Sequence, residues 1–260
     1  MYWKDAWRFS HSTEYEIKFA GRYGAKGEKR KKRKKPSPEQ IKRQNQQNRE
    51  KNVRRVVKAN FNPGDYWATM KYPKGTRKTI KEIRKDLKRF LDNTRNAYKK
   101  HGESFKFILR IEIGKNGGIH IHILFNRGNI KNVDMLIQEK WKYGRVNFQT
   151  LYEEGGYDRL AKYIVKEPDE EQYEQMQMFN REEQKQLVKY STSKNLVRPK
   201  PERKFYRRRT VRKIIENGPE PSPGYYIEQD SVVMGENPYT GMNYIHYTEC
   251  LLEGGKYEKG

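Results

Sequence analysis

The clearest hydrophobic pattern in the chain lies in residues 105–126, where apolar and polar positions alternate with a period of two. Such alternation is typical of β-strands that bury one face. A glycine-rich stretch at residues 114–118 interrupts the pattern, so the segment predicts a hairpin. The apolar residues of both strands share one face, and they are Phe105, Phe107, Leu109, Ile111, Ile113, Ile119, Ile121, Ile123 and Phe125.

The opposite face of the same hairpin carries charged and imidazole side chains. If the turn centres on Asn116, Glu112 lies directly across from His120, and Arg110 lies across from His122. Because the Cβ atoms of facing residues are about 4.5–5.5 Å apart, two imidazoles and one carboxylate converge on one side of the sheet. Such a set leaves positions open on a divalent cation, and its mixed donors suit Mg²⁺ or Mn²⁺ better than a structural zinc. The sequence therefore predicts a metal site.

The segments on either side of the hairpin complete an order of elements. Residues 65–72 and 145–152 are strand-like, whereas residues 77–100 and 129–141 carry apolar residues at helical spacing. The order strand–helix–strand–strand–helix–strand predicts an α+β fold with a ferredoxin-like, or RRM-like, split βαβ antiparallel sheet and helices on one face. This fold hosts many functions, so it does not by itself identify one.

A short amphipathic helix is predicted for residues 157–167, and Pro168 ends it. Its apolar stripe faces the core, whereas Tyr163 points the other way, with Arg159 one turn before it and Lys166 three residues after it. A tyrosine hydroxyl has a pKa of about 10 and is a poor nucleophile until cations or a metal favour the phenolate. Beside the metal face, Tyr163 is a candidate nucleophile.

Charge changes the picture of the flanking regions. The chain has 57 Lys and Arg residues against 33 Asp and Glu residues, a net charge of +24, and only 33% hydrophobic residues. This balance predicts a polyanionic partner and one compact core with polar extensions. Seven consecutive cations form a basic arm, predicted to be a solvated linker that binds DNA phosphates: Lys29, Arg30, Lys31, Lys32, Arg33, Lys34 and Lys35.

These patterns divide the chain into three regions. Residues 1–59 comprise an N-terminal strand, the basic arm and a helix; residues 60–168 form the core domain; residues 169–260 form an accessory C-terminal extension with a second basic stretch. The predicted elements of the flanking regions are a strand at 12–23, helices at 39–58 and 169–186, and hairpin strands at 225–233 and 242–250.

Cysteine usage and hydropathy exclude several classes of protein. Cys250 is the only cysteine, which excludes an internal disulfide framework and a Cys-based zinc site and favours a reducing compartment. No apolar run approaches the roughly 20 residues of a membrane span, and residues 1–10 lack the apolar stretch of a secretory signal. We therefore expect a cytoplasmic protein that does not associate with a membrane.

Over about residues 60–168 the chain resembles the HUH endonucleases, in particular the rolling-circle replication initiators of plasmid and phage type (gene II-like replication-associated proteins). The resemblance rests on Glu112, on the His120-Ile121-His122 motif, and on the segment from Tyr163 to Lys166. Residues 190–196 are also similar to that group. The resemblance implies a metal-dependent tyrosine DNA nickase and strand transferase.

The resemblance also implies a role for each of these residues. Glu112, His120 and His122 would bind Mg²⁺ or Mn²⁺. Tyr163 would attack the scissile phosphodiester, giving a 5′-phosphotyrosine adduct and a free 3′-OH primer, and Lys166 would position the phosphate. Arg110 and Arg159 are expected to contact DNA together with the basic arm.

The implied partners are single-stranded or hairpin origin DNA in a bacterial host cell, and a helicase and polymerase supplied by the host or by the element. The chain has no G-x-x-x-x-G-K-[ST] phosphate loop, so unwinding would fall to the helicase partner. Some initiators carry a second tyrosine one turn before the first, and Arg159 stands at that place here. Ending a replication round would then need a second protomer, as in a dimer, or another nucleophile.

Other functions stay open at this point. A conjugative relaxase or a single-tyrosine transposase of the same superfamily would share these residues. A non-catalytic, ferredoxin-like nucleic-acid-binding protein would use tyrosines and cations for stacking and phosphate contacts. In that protein, His120 and His122 would be partly exposed strand residues without a ligand, and the carboxylate of Glu112 opposite them would have no explanation. The basic arm also has the composition of a nuclear-import signal, which the hairpin and tyrosine motifs disfavour.

Overall fold

The computed structural model describes residues 1–20, 36–114, 118–152, 157–168, 174, 176, 177, 179, 180, 184, 187, 189–237 and 241–252. The chain divides into two compact units, residues 46–198 and residues 1–45 with 199–260. The predicted core domain lies within the first of these units. No helix within the described ranges is long and apolar enough to cross a membrane.

The described residues form strands and helices in the following order along the chain. The strands are β1 (Tyr2–Arg8), β2 (Ser12–Phe19), β3 (Tyr66–Lys71), β4 (Phe107–Ile113), β5 (Ile119–Phe125), β6 (Arg145–Thr150), β7 (Ser191–Thr192), β8 (Glu202–Tyr206), β9 (Tyr225–Ile227), β10 (Val233–Asn237) and β11 (Met242–Leu251). The helices are α1 (Pro38–Asn60), α2 (Ile80–Lys100), α3 (Val133–Lys140), α4 (Asp158–Val165) and α5 (Arg208–Asn217), with a 3-10 helix at Gln229–Ser231.

The unit of residues 46–198 contains the predicted split βαβ sheet. Its strands lie in the order β6-β3-β5-β4-β7, and every neighbouring pair is antiparallel. The elements β3, α2, β4, β5, α3 and β6 follow one another as expected, so the α+β, ferredoxin-like fold class is confirmed. The short strand β7 pairs with β4 and extends the sheet by one strand that the sequence pattern did not predict.

Helices cover both faces of this sheet, whereas helices on one face were expected. α2 and α3 pack on the face that carries the alternating apolar residues, and Ile83, Phe90 and Ile137 are fully buried there. The other face carries Ile108 and Leu124, which pair across β4 and β5 and are 1% and 0% exposed. An apolar pair on the polar face requires cover, because leaving it in water costs free energy in proportion to its area.

α1 and α4 provide that cover. Val53 and Val57 of α1 and Ile164 of α4 lie in one buried cluster with the apolar pair of β4 and β5. Arg54 Nη1 forms an ion pair with Asp158 Oδ1 at 2.5 Å, which ties α1 to the first turn of α4. These contacts position α4, and hence Tyr163, over the face of the sheet that was predicted to carry the chemistry.

Gly144 fixes the edge of this sheet, because it lets the chain pass close to β3 just before β6 begins. Its φ is +153°, and a Cβ built on it would overlap the carbonyl oxygen of Lys71. Residues with a side chain rarely adopt this conformation. A glycine is therefore required here to bring Arg145 opposite Lys71 in the β3–β6 ladder.

We expect Gly144→Ala to lower the free energy of unfolding by roughly 3 kcal/mol, because the variant adds a backbone clash to an unfavourable φ. Gly64→Ala is the matched control, since Gly64 also has a positive φ of +95° but no atom within 4 Å of the added Cβ. The control is expected to lose only about 1 kcal/mol. Urea denaturation of both variants measures the difference, and equal losses would show that the close approach to Lys71 is unimportant.

The unit of residues 1–45 and 199–260 is built on a second antiparallel sheet. Its strands lie in the order β10-β11-β2-β1-β8, and β9 also pairs with β11. α5 packs on one face, where Val211 lies in a buried cluster with Tyr2, Ile17 and Ile245. The N-terminal strands and the C-terminal extension, which the sequence pattern treats as separate regions, thus share one sheet.

A buried carboxylate joins three strands of this second sheet. Asp5 of β1 is 1% exposed, and Arg203 of β8 donates hydrogen bonds to both of its oxygens at 2.6 and 2.9 Å. Lys18 of β2 lies 3.1 Å from the same carboxylate. Burial opposes ionisation, but the hydrogen bonds and charges of Arg203 and Lys18 hold the pKa of Asp5 below its usual value.

Two expectations for this unit need correction or lie outside the described residues. The strand predicted at 225–233 is interrupted: β9 and β10 are separated by the 3-10 helix, and only β10 forms the terminal hairpin with β11. β1 was not predicted, because both of its faces are buried in part and its sequence does not alternate. The basic arm at residues 29–35 and most of the helix predicted at 169–186 lie outside the described residues.

Candidate functional site

The partly covered face of the first sheet presents a grid of side chains from four strands. The registers confirm that Glu112 faces His120 and that Arg110 faces His122, as the hairpin pattern predicted. The side chains lie in three rows across β4, β5, β3 and β6: Glu112, His120, Lys71 and Arg145; then Arg110, His122, Thr69 and Asn147; then Ile108, Leu124, Trp67 and Gln149. α4 covers the apolar third row, so the first two rows are left for polar chemistry.

The hydroxyl of Tyr163 lies between two of the predicted metal ligands. It donates a hydrogen bond to Glu112 Oε2 at 2.5 Å and lies 2.9 Å from His122 Nε2. His122 Nε2 is itself 3.0 Å from Glu112 Oε2. The fold therefore brings the predicted nucleophile, an imidazole and a carboxylate together, although α4 and the hairpin are far apart in the sequence.

Thr69 of β3 orients the imidazole of His122. Its Oγ1 lies 3.1 Å from His122 Nδ1, and a hydroxyl holds the ring in either tautomer because it both donates and accepts. This contact leaves Nε2 directed at the carboxylate of Glu112. A histidine held through one ring nitrogen by a neighbouring polar group is the usual arrangement for a metal ligand. In donor type and orientation, Glu112 and His122 fit a divalent cation.

His120 is the more distant member of the predicted ligand set. Its ring centroid is 6.2 Å from that of His122, and its pKa is lowered by burial and by the charges of Lys71 and His122. The lowered pKa favours the neutral imidazole, which is the form that binds metals. Within the described part of the chain, no three His, Cys, Asp or Glu side chains are already arranged to hold a metal ion. The three-ligand site stays a prediction that rests on register and donor type.

The electrostatics of Tyr163 differ from the sequence expectation that cations favour its phenolate. Partial burial raises the pKa of its hydroxyl, and the hydrogen bond and charge of Glu112 raise it further, whereas Arg110 has a smaller opposing effect. The protonated hydroxyl is therefore the stable form in this arrangement. Using the oxygen as a nucleophile requires a change in what Glu112 contacts, or a new positive charge nearby.

Arg110 is buried behind the site. It is 3% exposed, and its Nη1 donates to the carbonyl oxygens of Tyr163 at 2.9 Å and of Ile164 at 3.3 Å. The last carbonyls of a helix have no partner within the helix, so this guanidinium stabilises the end of α4. The sequence pattern grouped Arg110 with the DNA-binding cations, whereas the structure gives it contacts that position Tyr163.

Trp67 is the residue of this site that the motif analysis missed. Its indole stacks on His122 with ring centroids 5.7 Å apart, and it meets Tyr163 edge-on at the same distance. The available signal was the alternation of β3, where Trp67, Thr69 and Lys71 share one face and the buried Ala68 and Met70 share the other. The strand was predicted, but the contact of its polar face with the hairpin depends on long-range pairing.

The other predicted site residues lie around this cluster or outside the described ranges. Arg159 is exposed on α4 one turn before Tyr163, and Lys166 is exposed at the C-terminal end of the same helix. The basic arm at residues 29–35 lies outside the described residues. The structure thus brings Glu112, His122 and Tyr163 into contact and keeps Arg159 and Lys166 on the helix that carries the tyrosine.

Comparison with known protein families gives a match for the segment that carries this site. No curated protein and no solved structure matches this chain. Residues 65–168, which contain β3 to β6 and α4, match the family model for replication-associated proteins of the ORF2 and gene 2 protein type. The matched segment includes Glu112, His120, His122 and Tyr163, and the match supports a replication-initiator family for this part of the chain.

Proposed function

We propose that this protein initiates rolling-circle replication of a plasmid or phage by nicking one DNA strand at a specific site. The observation that carries the proposal is the Tyr163 hydroxyl, held on the sheet face at 2.5 Å from Glu112 Oε2 and 2.9 Å from His122 Nε2. A tyrosine beside a carboxylate and an imidazole is the constellation that covalent phosphoryl transfer needs. The match of residues 65–168 to a replication-associated family supports this role.

In the proposed reaction, the Tyr163 oxygen attacks the scissile phosphorus and forms an oxygen–phosphorus bond to the 5′ end of one fragment. The bond from phosphorus to the 3′ oxygen breaks, and this oxygen takes up a proton to become the 3′-OH that primes synthesis. Glu112 already accepts the hydrogen bond of the tyrosine and provides a path for the proton that the tyrosine loses. Attack of a 3′-OH on the phosphotyrosine reverses these steps and rejoins a strand.

Glu112, His120 and His122 would hold a divalent cation, Mg²⁺ or Mn²⁺, with Thr69 orienting His122. When bound, such a cation neutralises charge on the phosphate and favours the tyrosine phenolate. Arg159 and Lys166 are exposed on either side of Tyr163 along α4, where they would contact phosphates near the scissile bond.

The uncovered rows of the sheet provide a path for a single strand. Arg145, Asn147 and Gln149 are exposed on the edge strand β6, and the half-buried Lys71 lies beside them on β3. Cations and amides suit phosphates and unpaired bases respectively. The proposed partners are therefore single-stranded or hairpin origin DNA, a host or element helicase and polymerase, and a second protomer at termination.

A covalent adduct is the test of this function. Purified protein is incubated with Mn²⁺ and with labelled single-stranded and hairpin oligonucleotides tiled across the DNA that flanks its gene. We expect label to stay with the protein in a denaturing gel, and mass spectrometry to place the DNA on the peptide that contains Tyr163. Chelation with EDTA is expected to prevent adduct formation. Tight binding without an adduct on any oligonucleotide would instead support a non-catalytic nucleic-acid-binding protein.

The basic arm is proposed to bind DNA phosphates without choosing the bond. Replacing the four cations at 31–34 with Gln is expected to lower the slope of log affinity against log salt concentration by up to about 3, since each phosphate contact on a single strand contributes about 0.7. Fluorescence anisotropy with an oligothymidine at several salt concentrations measures the slope.

A matched control removes the same charge from the opposite face of the sheet. It replaces four exposed cations of α2 with Gln, namely Lys81, Arg84, Lys85 and Lys88. This control is expected to change the slope by less than about 1, because longer-range charge effects are screened by salt. Equal changes in both variants would mean that net charge alone determines binding and that the arm has no specific role.

A further inference from the structure

A small pocket lies next to the tyrosine, between the edge strand β6 and α4. Trp67, Gln149, Tyr152, Arg159 and Leu160 are among the residues that line it, and its volume is about 180 Å³. The indole of Trp67 is shared between the two sites, because it also meets Tyr163 and His122 at centroid distances of 5.7 Å. A group bound in the pocket would therefore lie beside the phosphate that Tyr163 attacks.

The lining combines aromatic walls with a polar rim. Trp67 and Leu160 supply apolar surface, and the ring of Tyr152 is 70% exposed at the edge of the pocket. Gln149 lies directly across from Trp67 in the β3–β6 ladder, so its amide stands over the aromatic wall. An amide offers both donors and an acceptor, which is what the polar edge of a nucleobase requires.

Charge and backbone conformation at the pocket point to the same kind of ligand. The exposed Arg159 lies at the rim, one helical turn before Tyr163, where a guanidinium would meet the phosphate attached to a bound base. Tyr157 also lines the pocket, is 3% exposed, and has a φ of +65°. Residues with side chains are seldom held in this left-handed conformation, and such positions cluster at ligand sites.

The volume limits what the pocket takes. Sites for drug-sized ligands measure roughly 300–1,000 Å³, so a cavity of about 180 Å³ suits one planar group and not a longer segment. Aromatic side chains stack on any unpaired base, whereas an amide discriminates between bases by their hydrogen-bonding edges. Stacking by Tyr152 and base reading by Gln149 are thus separable contributions.

We infer that this pocket holds one unpaired nucleobase of the substrate strand beside the scissile phosphate, and that Gln149 reads its identity. The inference rests on the proposed function, because it places the base next to the phosphate that Tyr163 attacks. Tyr152 and Trp67 stack on the base, and Arg159 binds its phosphate. The pocket is a specificity site, and it takes no part in bond cleavage.

Binding measured without metal separates this inference from cleavage. Fluorescence anisotropy in EDTA is recorded with labelled 15-nucleotide oligothymidine, oligodeoxyadenosine and oligodeoxycytidine, in which every base that enters the pocket is the same. Native protein is expected to prefer one homopolymer over another by at least about fivefold, since a good two-bond base contact discriminates by roughly 5- to 150-fold. Gln149→Leu is expected to reduce that preference to less than about twofold.

Tyr152→Ala tests the stacking contribution. It is expected to weaken binding to all three homopolymers by roughly 5- to 150-fold. Tyr226→Ala is the matched control, because Tyr226 is a 44% exposed tyrosine in β9, far from this pocket in the sequence. The control is expected to change binding by less than about twofold. Equal homopolymer affinities in the native protein and in Gln149→Leu, or equal losses for Tyr152→Ala and Tyr226→Ala, would overturn the inference.

Adduct formation, assayed in parallel with Mn²⁺, distinguishes failure of the pocket from failure of the function. An adduct on Tyr163 together with a flat homopolymer profile overturns the base pocket alone. A preference that depends on Gln149 without any adduct overturns the proposed nickase and leaves a base-reading pocket in a binding protein.

Discussion

Tyr163→Phe is expected to reduce formation of the covalent DNA adduct by at least about 10³-fold, because it removes the attacking oxygen and leaves the rest of the site in place. The aromatic contacts of the ring with Trp67 and His122 do not involve the hydroxyl, so α4 is expected to keep its position. Binding of single-stranded DNA in EDTA is expected to change by less than about threefold. The measurement is the fraction of labelled oligonucleotide bound to denatured protein.

Tyr152→Phe is the control for loss of a tyrosine hydroxyl near the site. Tyr152 is exposed at the pocket rim, and the variant keeps the ring that would stack on a base. We expect it to form the adduct at the native rate. If Tyr163→Phe forms an adduct at all comparable to this control, the nucleophile is a different residue, and mapping the adduct peptide would identify it.

The parts of the site that the sequence predicted are those set by local geometry. In a hairpin, the parity of two strands and the position of the turn determine which residues face each other, so the pairing of Glu112 with His120 follows from the pattern alone. The helical stripe of α4 likewise places Tyr163 away from Ile164 on the helix.

The parts that could not be predicted depend on contacts between distant segments. Thr69 and Trp67 reach His122 because β3 pairs with β5, and Gln149 joins them because β6 pairs with β3. Alternation shows that these residues share a face of their own strand, but it does not show which strand lies beside it. In the same way, β1 lies between β2 and β8, and nothing local in the sequence predicts a partner 198 residues from Asp5.

Arg110 illustrates a different limit of sequence interpretation. An arginine on the polar parity of a strand is typical of an exposed phosphate contact, and nothing in the local pattern indicates that a helix covers it. The burial follows from Ile108, two residues earlier on the same parity, which needs the apolar cover that α4 provides. The end of that helix then offers carbonyl oxygens to the guanidinium.

Glu112→Gln and His122→Ala are each expected to weaken Mn²⁺ binding by about 100-fold or more and to abolish metal-dependent cleavage. Each variant removes one of the two donor groups whose atoms already lie 3.0 Å apart. Glu139→Gln is the control, since Glu139 is an exposed carboxylate of α3 that pairs with Lys140. Isothermal titration with Mn²⁺ measures affinity separately from activity. Native affinity in Glu112→Gln would refute the ligand assignment.

Tyr163→Phe is expected to have the opposite effect on metal affinity. The oxygen of Glu112 that accepts the tyrosine hydroxyl is also the oxygen nearest to His122 Nε2, so the hydroxyl occupies the position where these two donors converge. A cation bound there must displace that hydrogen bond, whose net worth is about 1–3 kcal/mol because one partner is charged. Removing the hydroxyl removes this cost, and Mn²⁺ affinity is expected to rise by roughly 5- to 100-fold. The same displacement frees the Tyr163 oxygen from the carboxylate that raises its pKa. Opposite changes in metal affinity for Tyr163→Phe and Glu112→Gln would therefore link metal binding to activation of the nucleophile.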